Sequence, residues 1–264
     1  MINIIRASLF KLFRDRTFQV TAIIGSFIAI LIVLIQLLVQ TCNGQSLYLS
    51  SSSPSQNFGL TIPINLIVFT VGEFTYGTIR NKVIAGLSKT KLYFGLFFTG
   101  LVFTFILYTI FAIFSVGLAS IIGGFSAEAI GGVKFVLLYL IYVICAYVFI
   151  TALSIFFASL VRQIGGSISI VIILLVFLSL IPLFTFMNMN GSELRPDHWS
   201  MWINPLYMVG LYGNNAVKII GDVIGNAVYN QTPQMIAAGI LTPLAWGAIF
   251  FISGLTLFNH QDIK

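Results

Sequence analysis

The feature that most constrains this chain is a series of long stretches without a charged residue. Neither Asp, Glu, Lys nor Arg occurs within 17–72, 92–127, 135–161, 163–192, 199–217 or 223–261. A helix that crosses a bilayer needs about 20 predominantly apolar residues, and most of these stretches are longer than that. The strands of a membrane β-barrel are short and alternate apolar with polar residues, unlike these continuous runs. The sequence therefore predicts an all-α polytopic membrane protein.

Composition excludes the soluble classes of protein. Charged residues make up 8% of the chain and hydrophobic residues 58%, whereas an ordinary soluble domain carries about 25% charged residues. So few polar side chains cannot cover the surface of a soluble enzyme or a nucleic-acid-binding domain. The net charge of +6 is spread along the chain, which fits an orientation signal better than a patch that binds nucleic acid.

We predict six spanning helices in a single transmembrane domain, residues 1–264. The first uncharged stretch holds two spans, because the polar segment 41–57 divides it. The first span is too long and too far along the chain to be a cleaved signal peptide, so we expect it to be retained. The predicted spans are 18–40, 58–75, 94–120, 133–159, 164–187 and 236–258.

Lysine and arginine are unevenly divided between the two sides of this arrangement. Cytoplasmic segments of membrane proteins carry an excess of these residues. With the N-terminus inside, ten lie on the cytoplasmic side and three outside, so we expect both termini in the cytoplasm. The ten are Arg6, Lys11, Arg14, Arg16, Arg80, Lys82, Lys89, Lys91, Arg162 and Lys264, and the three are Lys134, Arg195 and Lys218.

Two segments outside the spans are predicted to lie at membrane interfaces. Residues 1–17 place apolar side chains at helical spacing among basic ones. This pattern indicates an amphipathic helix on the anionic inner leaflet, or a tail that only enforces topology. Outside, the long segment 188–235 contains tryptophans typical of an interfacial belt. After Pro205 we predict an amphipathic or re-entrant helix, with Val209 and Val223 accessible from outside.

The sequence contains no pattern typical of a metal or catalytic site. Cys42 and Cys145 are predicted to lie at different membrane depths, too far apart for a disulfide. There is no Cys-x-x-Cys, His-Glu-x-x-His, Gly-x-Ser-x-Gly or Gly-x-x-x-x-Gly-Lys-Ser/Thr pattern. We therefore expect no metal, no cofactor bound to this chain and no enzymatic activity of its own.

The most informative segment lies between the second and third predicted spans. Ile79, Val83 and Leu87 stand on one helical face, with Arg80 and Lys82 directed elsewhere. This order of residues predicts a short amphipathic helix to which another protein can bind. The alternative is an ordinary basic loop, which explains the charges but not the order of the residues.

Residues with special backbone roles lie at the two ends of this short helix. Gly77 permits a sharp exit from the membrane, Gly86 a helix stop, and Ser88 a cap on the next helix. Glu73 precedes Arg80 by seven residues, and we expect it either to pair with a basic residue of its own chain, such as Arg80 or an N-terminal arginine, or to cap a helix start. Either contact would hold the short helix at a fixed angle; the alternative is a topology charge with no mechanical role.

The same residues resemble the motif of ABC-2 type permeases, the membrane subunits of bacterial ATP-binding-cassette exporters. The resemblance lies in Glu-Phe-x-x-Gly-Thr-Ile-Arg-Asn-Lys at 73–82, followed by Gly-x-Ser-Lys-x-x-x-Tyr at 86–93. It is closest to the group that exports bacitracin, lantibiotics and peptide toxins. Two positions depart from the motif: Lys89 stands where arginine is common, and Gly95-Leu96 lacks a lysine often found there.

The resemblance implies a role for each of these segments. Residues 77–88 would be the coupling helix that seats in a groove of a cytoplasmic ATPase, residues 1–17 a connecting helix, and 203–228 an outer re-entrant gate. Glu73 would support the coupling helix, and Ile79, Val83 and Leu87 would fill the ATPase groove. The residues assigned to the ATPase contact are Gly77, Thr78, Ile79, Arg80, Asn81, Lys82, Val83, Gly86 and Leu87.

The resemblance also implies an assembly. Two permease chains, as a homodimer or a heterodimer, would sit above two ATPase subunits that bind ATP and Mg²⁺, in the bacterial cytoplasmic membrane. Spans one, two and five would line the path. Because the predicted span centres carry no charge, we expect export of a hydrophobic or amphipathic peptide. Alternatives are export of a drug or lipid-linked molecule, and a stand-alone immunity or sensor protein that binds a toxin without pumping it.

Overall fold

The computed structural model describes residues 2–14, 16–38, 48–49, 60–127, 132–187, 199–210 and 232–261. Within these ranges the chain is almost entirely helical and contains no strand, so the all-α prediction is confirmed. A π-helical turn, Ile113–Gly117, interrupts the fifth helix, and a 3₁₀ turn covers Trp199–Trp202. The helices are α1 (Ile2–Arg14), α2 (Arg16–Leu38), α3 (Thr61–Thr75), α4 (Thr78–Ile84), α5 (Lys89–Gly123), α6 (Gly132–Val161), α7 (Ile164–Met187) and α8 (Pro233–His260).

Four of the described helices, α5 to α8, are long and apolar enough to cross a membrane. Helices α3 and α4 meet the same criteria only as a pair, and they are bent by 52° at the break between them. Within α2 the apolar core is the shorter stretch Ala22–Ile35. Each predicted span therefore falls on a helix, and the four long apolar helices indicate a membrane protein. Crossing by α2 and α3, and the side on which the termini lie, stay predictions.

Helix α6 lies at the centre of the bundle. It packs along α8 for much of its length and also contacts α3, α5 and α7. Its large aromatic residues, Tyr142 and Tyr147 among them, are fully buried. Close approach of α8 depends on small residues, because a Cβ atom at Gly239 would overlap Tyr142 and one at Gly254 would overlap Tyr93.

Residues 199–210 reach into the bundle rather than lying across its end. Trp246, at the middle of α8, donates its indole N–H to the carbonyl of Ile203 at 2.8 Å. Asn204 donates its side-chain amide to the carbonyl of Leu178 in α7 at 2.6 Å. The prediction that Val209 is accessible from outside is wrong, because its side chain is 1% exposed and belongs to the core. The rest of the predicted re-entrant segment, with Val223, lies outside the described residues.

Cysteine pairing stays a prediction. Cys145 is a buried free thiol within α6, but Cys42 lies outside the described residues.

Candidate functional site

The best-defined polar site lies where α3 passes into α4. Glu73, on the last turn of α3, is 1% exposed. Its Oε1 accepts a hydrogen bond from the Lys11 ammonium of α1 at 2.5 Å, and its Oε2 accepts one from the Lys82 ammonium of α4 at 3.0 Å. A carboxylate buried without partners is costly, whereas each oxygen of this one faces a cation. One side chain of α3 therefore holds two other helices.

The prediction that Glu73 pairs with a basic residue of its own chain is confirmed, with other residues than the examples named. The partners are Lys82 and Lys11 rather than Arg80 or an N-terminal arginine. The reason is the direction that each side chain takes on α4. Lys82 follows the buried Ile79 by three residues and reaches Glu73 beside it, so the expectation that Lys82 is directed elsewhere is wrong. Arg80 is turned away and exposed, as expected.

Glycine backbone conformations set the limits of α4. Gly77 has φ +65° and accepts the first hydrogen bond of the helix, from the Asn81 N–H at 2.9 Å. Gly86 has φ +88°, and the bonds from Gly86 N–H to the Val83 carbonyl and from Leu87 N–H to the Lys82 carbonyl form a Schellman ending. The predicted turn at Gly77 and stop at Gly86 are confirmed.

The cap on the next helix is also confirmed. The Lys91 N–H donates to the Ser88 hydroxyl oxygen at 3.5 Å, a long contact at the first turn of α5.

The apolar face of α4 is turned toward the bundle. Ile79 is 1% exposed, and Val83 and Leu87 pack against the same core. Ile79 is therefore covered by the chain's own helices and is not free to fill a groove in another protein, whereas Val83 and Leu87 remain partly exposed and their contact with an ATPase stays a prediction. We call the opposite side the outer face of α4. Its exposed residues are Arg80, Asn81 and Ile84, and Ile84 is 73% exposed.

A second polar cluster lies beside the first. Arg162, in the turn between α6 and α7, has a left-handed backbone (φ 54°) and holds its guanidinium 5.2 Å from the centre of the Phe74 ring. The same guanidinium donates to the Gln261 side-chain oxygen. Lys89, at the start of α5, donates to the backbone carbonyls of Gln261 at 2.8 Å and Asn259 at 3.1 Å. The cluster joins the ends of α5, α6 and α8 to α3.

Sequence reasoning missed this second cluster. Arg162 counted there only as an orientation charge, Lys89 as an orientation charge and a motif position, and Gln261 was not considered. The one available signal was general, namely that a lysine stabilises the free carbonyls at a helix C-terminus. It does not say which helix end the lysine will reach.

An open cavity of about 150 Å³ adjoins Glu73. Its wall is formed by α1, α3 and α7, and sequence reasoning did not foresee it. The lining residues are Lys11, Val68, Phe69, Gly72, Thr75, Tyr76 and Ile164.

Neither a metal centre nor a known relative identifies this site. Among the described residues, no group of three or more His, Cys, Asp or Glu side chains is placed to hold a metal ion. Comparison with family models, curated proteins and solved structures returned no match to this chain. The function therefore has to be argued from the residues and their geometry.

Proposed function

We propose that this chain is the permease subunit of an ATP-driven exporter of the ABC-2 type, in the bacterial cytoplasmic membrane. The observation that carries the proposal is α4, a short helix bent 52° from α3 whose outer face projects from the bundle. A partner that moves spanning helices needs a rigidly attached element to hold. Helix α4 has this property because Lys82 fastens it to the buried Glu73.

The proposed mechanism is transmission of force through that attachment. A displacement of α4 is passed to α3 through Lys82 and Glu73, and to α1 through Lys11. Separating Glu73 from both lysines would leave an uncompensated buried carboxylate, at a cost of about 3–5 kcal/mol. The three helices therefore move together when a partner moves α4.

The energy source in this proposal is a separate ATPase. The sequence lacks the glycine-rich loop whose backbone amides cradle phosphate, so ATP and Mg²⁺ belong on two partner subunits below two permease chains. Six spans, cytoplasmic termini and an outer re-entrant gate belong to the same proposal. The gate is supported by residues 199–204, which reach Trp246 at the middle of α8.

The proposed cargo is a hydrophobic or amphipathic peptide, exported for secretion or self-protection. Uncharged span centres favour such a molecule over an ion or a sugar. A drug or lipid-linked molecule fits the same chemistry and is the second choice. A stand-alone immunity or sensor protein is the rival class, and it would need no ATPase.

The test compares two isoleucines at opposite ends of the bundle. Ile84 on the outer face of α4 is 73% exposed, and Ile121 near the end of α5 is 82% exposed. The tagged chain is purified from its native membrane, and ATP hydrolysis and native mass are measured. We expect two permeases with two ATPases, and we expect Ile84→Asp to lose both ATPase and hydrolysis, because the new charge faces the partner.

Ile121→Asp is the matched control and should retain the ATPase. Purification of an active wild-type chain with no ATPase would favour the stand-alone binder. If both variants retain the ATPase equally, α4 is not the element that contacts the ATPase.

A further inference from the structure

We propose that the cavity beside Glu73 binds an anionic phospholipid, with the phosphate at Lys11 and the start of an acyl chain along Val68, Phe69 and Ile164. The proposal concerns how the chain is held in its bilayer and does not rest on transport.

The Lys11 ammonium has one N–H donor for which the described residues offer no acceptor. A lysine ammonium carries three N–H donors, and two of them are directed to Glu73 at 2.5 Å and to the Thr78 hydroxyl at 3.4 Å. Among the described residues no further acceptor contacts this ammonium, and the side chain lines the cavity while remaining 49% exposed. The third donor is therefore available to a ligand oxygen.

The local charge favours an anion. Among the residues that the structure describes, Lys11 and Lys82 share the carboxylate of Glu73, which leaves one positive charge in excess within this group. Because a cation already faces each oxygen of Glu73, this carboxylate repels an incoming anion less than a free one would. A phosphate that carries one negative charge would neutralise the excess positive charge of the two lysines.

The rest of the wall suits hydrocarbon. Phe69 is 8% exposed, Val68 is partly buried, and Ile164 presents an apolar edge. Tyr76 stands at the rim and is 80% exposed, with its ring beside Gly72, as is typical of aromatic residues at a membrane interface. A volume of about 150 Å³ is far larger than the about 10–15 Å³ that one water requires.

The basic end at Lys11 and the apolar wall of the cavity together distinguish a lipid from free phosphate. A soluble phosphate would contact only the ammonium end and leave the apolar wall without a partner. An anionic lipid matches both ends of the cavity, and its position between α1, α3 and α7 would hold the N-terminal helix against the bundle.

The test uses the full-length chain in neutral detergent with equal amounts of phosphatidylglycerol and phosphatidylcholine, and counts bound lipids by native mass spectrometry. We expect the wild type to retain phosphatidylglycerol preferentially. Lys11→Ala should reduce this preference about fivefold, the effect of one lysine near an anionic lipid surface. Ile164→Trp should reduce retention without changing any charge, because the indole fills the cavity.

Each variant has a matched control on its own helix. Arg14→Ala removes a cation of α1 that does not line the cavity, and Ile173→Trp adds an indole at a 67% exposed position of α7; both should bind as the wild type does. The proposal fails if Arg14→Ala and Lys11→Ala lose lipid equally, or if Ile164→Trp retains it fully. Displacement of the lipid by inorganic phosphate would identify a soluble ligand and would overturn the lipid assignment.

Discussion

The two ends of the bundle are held together by different chemistry. At the α4 end, the buried Glu73 is bound by Lys11 and Lys82 from two other helices. At the opposite end, Tyr48 and Tyr139 each donate a neutral hydrogen bond to a backbone carbonyl at 2.7 Å. A buried charge depends on all its partners together, whereas a neutral bond can be lost singly at small cost. From this difference we expect the helices at the α4 end to move together.

The largest effect should come from removing both cations of Glu73. In Lys11→Met with Lys82→Met the carboxylate stays buried and unpaired, which should lower the free energy of unfolding by about 3–5 kcal/mol. The control is Tyr48→Phe with Tyr139→Phe, which keeps the rings and should cost about 1 kcal/mol for each lost bond. Thermal unfolding in one detergent compares the two double variants. Equal losses would abolish the distinction between the ends.

A smaller effect is expected from the turn that leads into α4. Gly77→Ala forces a side chain onto a backbone with φ +65° and should cost about 1–2 kcal/mol. Gly117→Ala is the control, since Gly117 has a helical φ of −62° and, like Gly77, open space where a Cβ would lie. It should be neutral or slightly stabilising. If the two variants melt alike, backbone strain does not set the bend.

The smallest effect should be at the cap of α5. The Ser88 hydroxyl accepts from the Lys91 N–H at the long distance of 3.5 Å, so Ser88→Ala should fall at the low end of the cap range, about 0.5 kcal/mol. The comparison is Thr232→Ala at the start of α8, whose hydroxyl accepts from the Met235 N–H at 3.3 Å. A larger loss at Ser88 than at Thr232 would contradict the ranking by distance.

Local features of the fold were predictable from the sequence, and non-local ones were not. Uncharged apolar runs located the helices because length and hydropathy act within one segment. Gly77 and Gly86 were recognisable because left-handed backbone is a property of single residues. The partner Lys11, by contrast, lies 62 residues from Glu73, and no local pattern specifies which helix end meets which.

The face of α4 shows the same limit. Its periodicity correctly separated Ile79 from Arg80, but amphipathicity does not say what covers an apolar face. A partner protein was expected along the whole face, but the chain's own core covers Ile79 fully and Val83 and Leu87 in part. Val209 was misassigned for a related reason, since an apolar residue at a membrane interface can face lipid or the interior of the protein.

The π-helical turn Ile113–Gly117 changes the rotational register of α5. A π turn accommodates one extra residue, which rotates the following side chains by about 100° relative to an uninterrupted α-helix. Before the turn, α5 packs on α1, α2, α3, α6 and α8; the turn and the segment beyond it continue the packing on α2. The inserted residue thus sets which side chains of Leu118–Gly123 face α2 at this end of the helix. Deleting Val116 would restore the regular period and turn the α2-facing side chains of Leu118–Gly123 away from their partner.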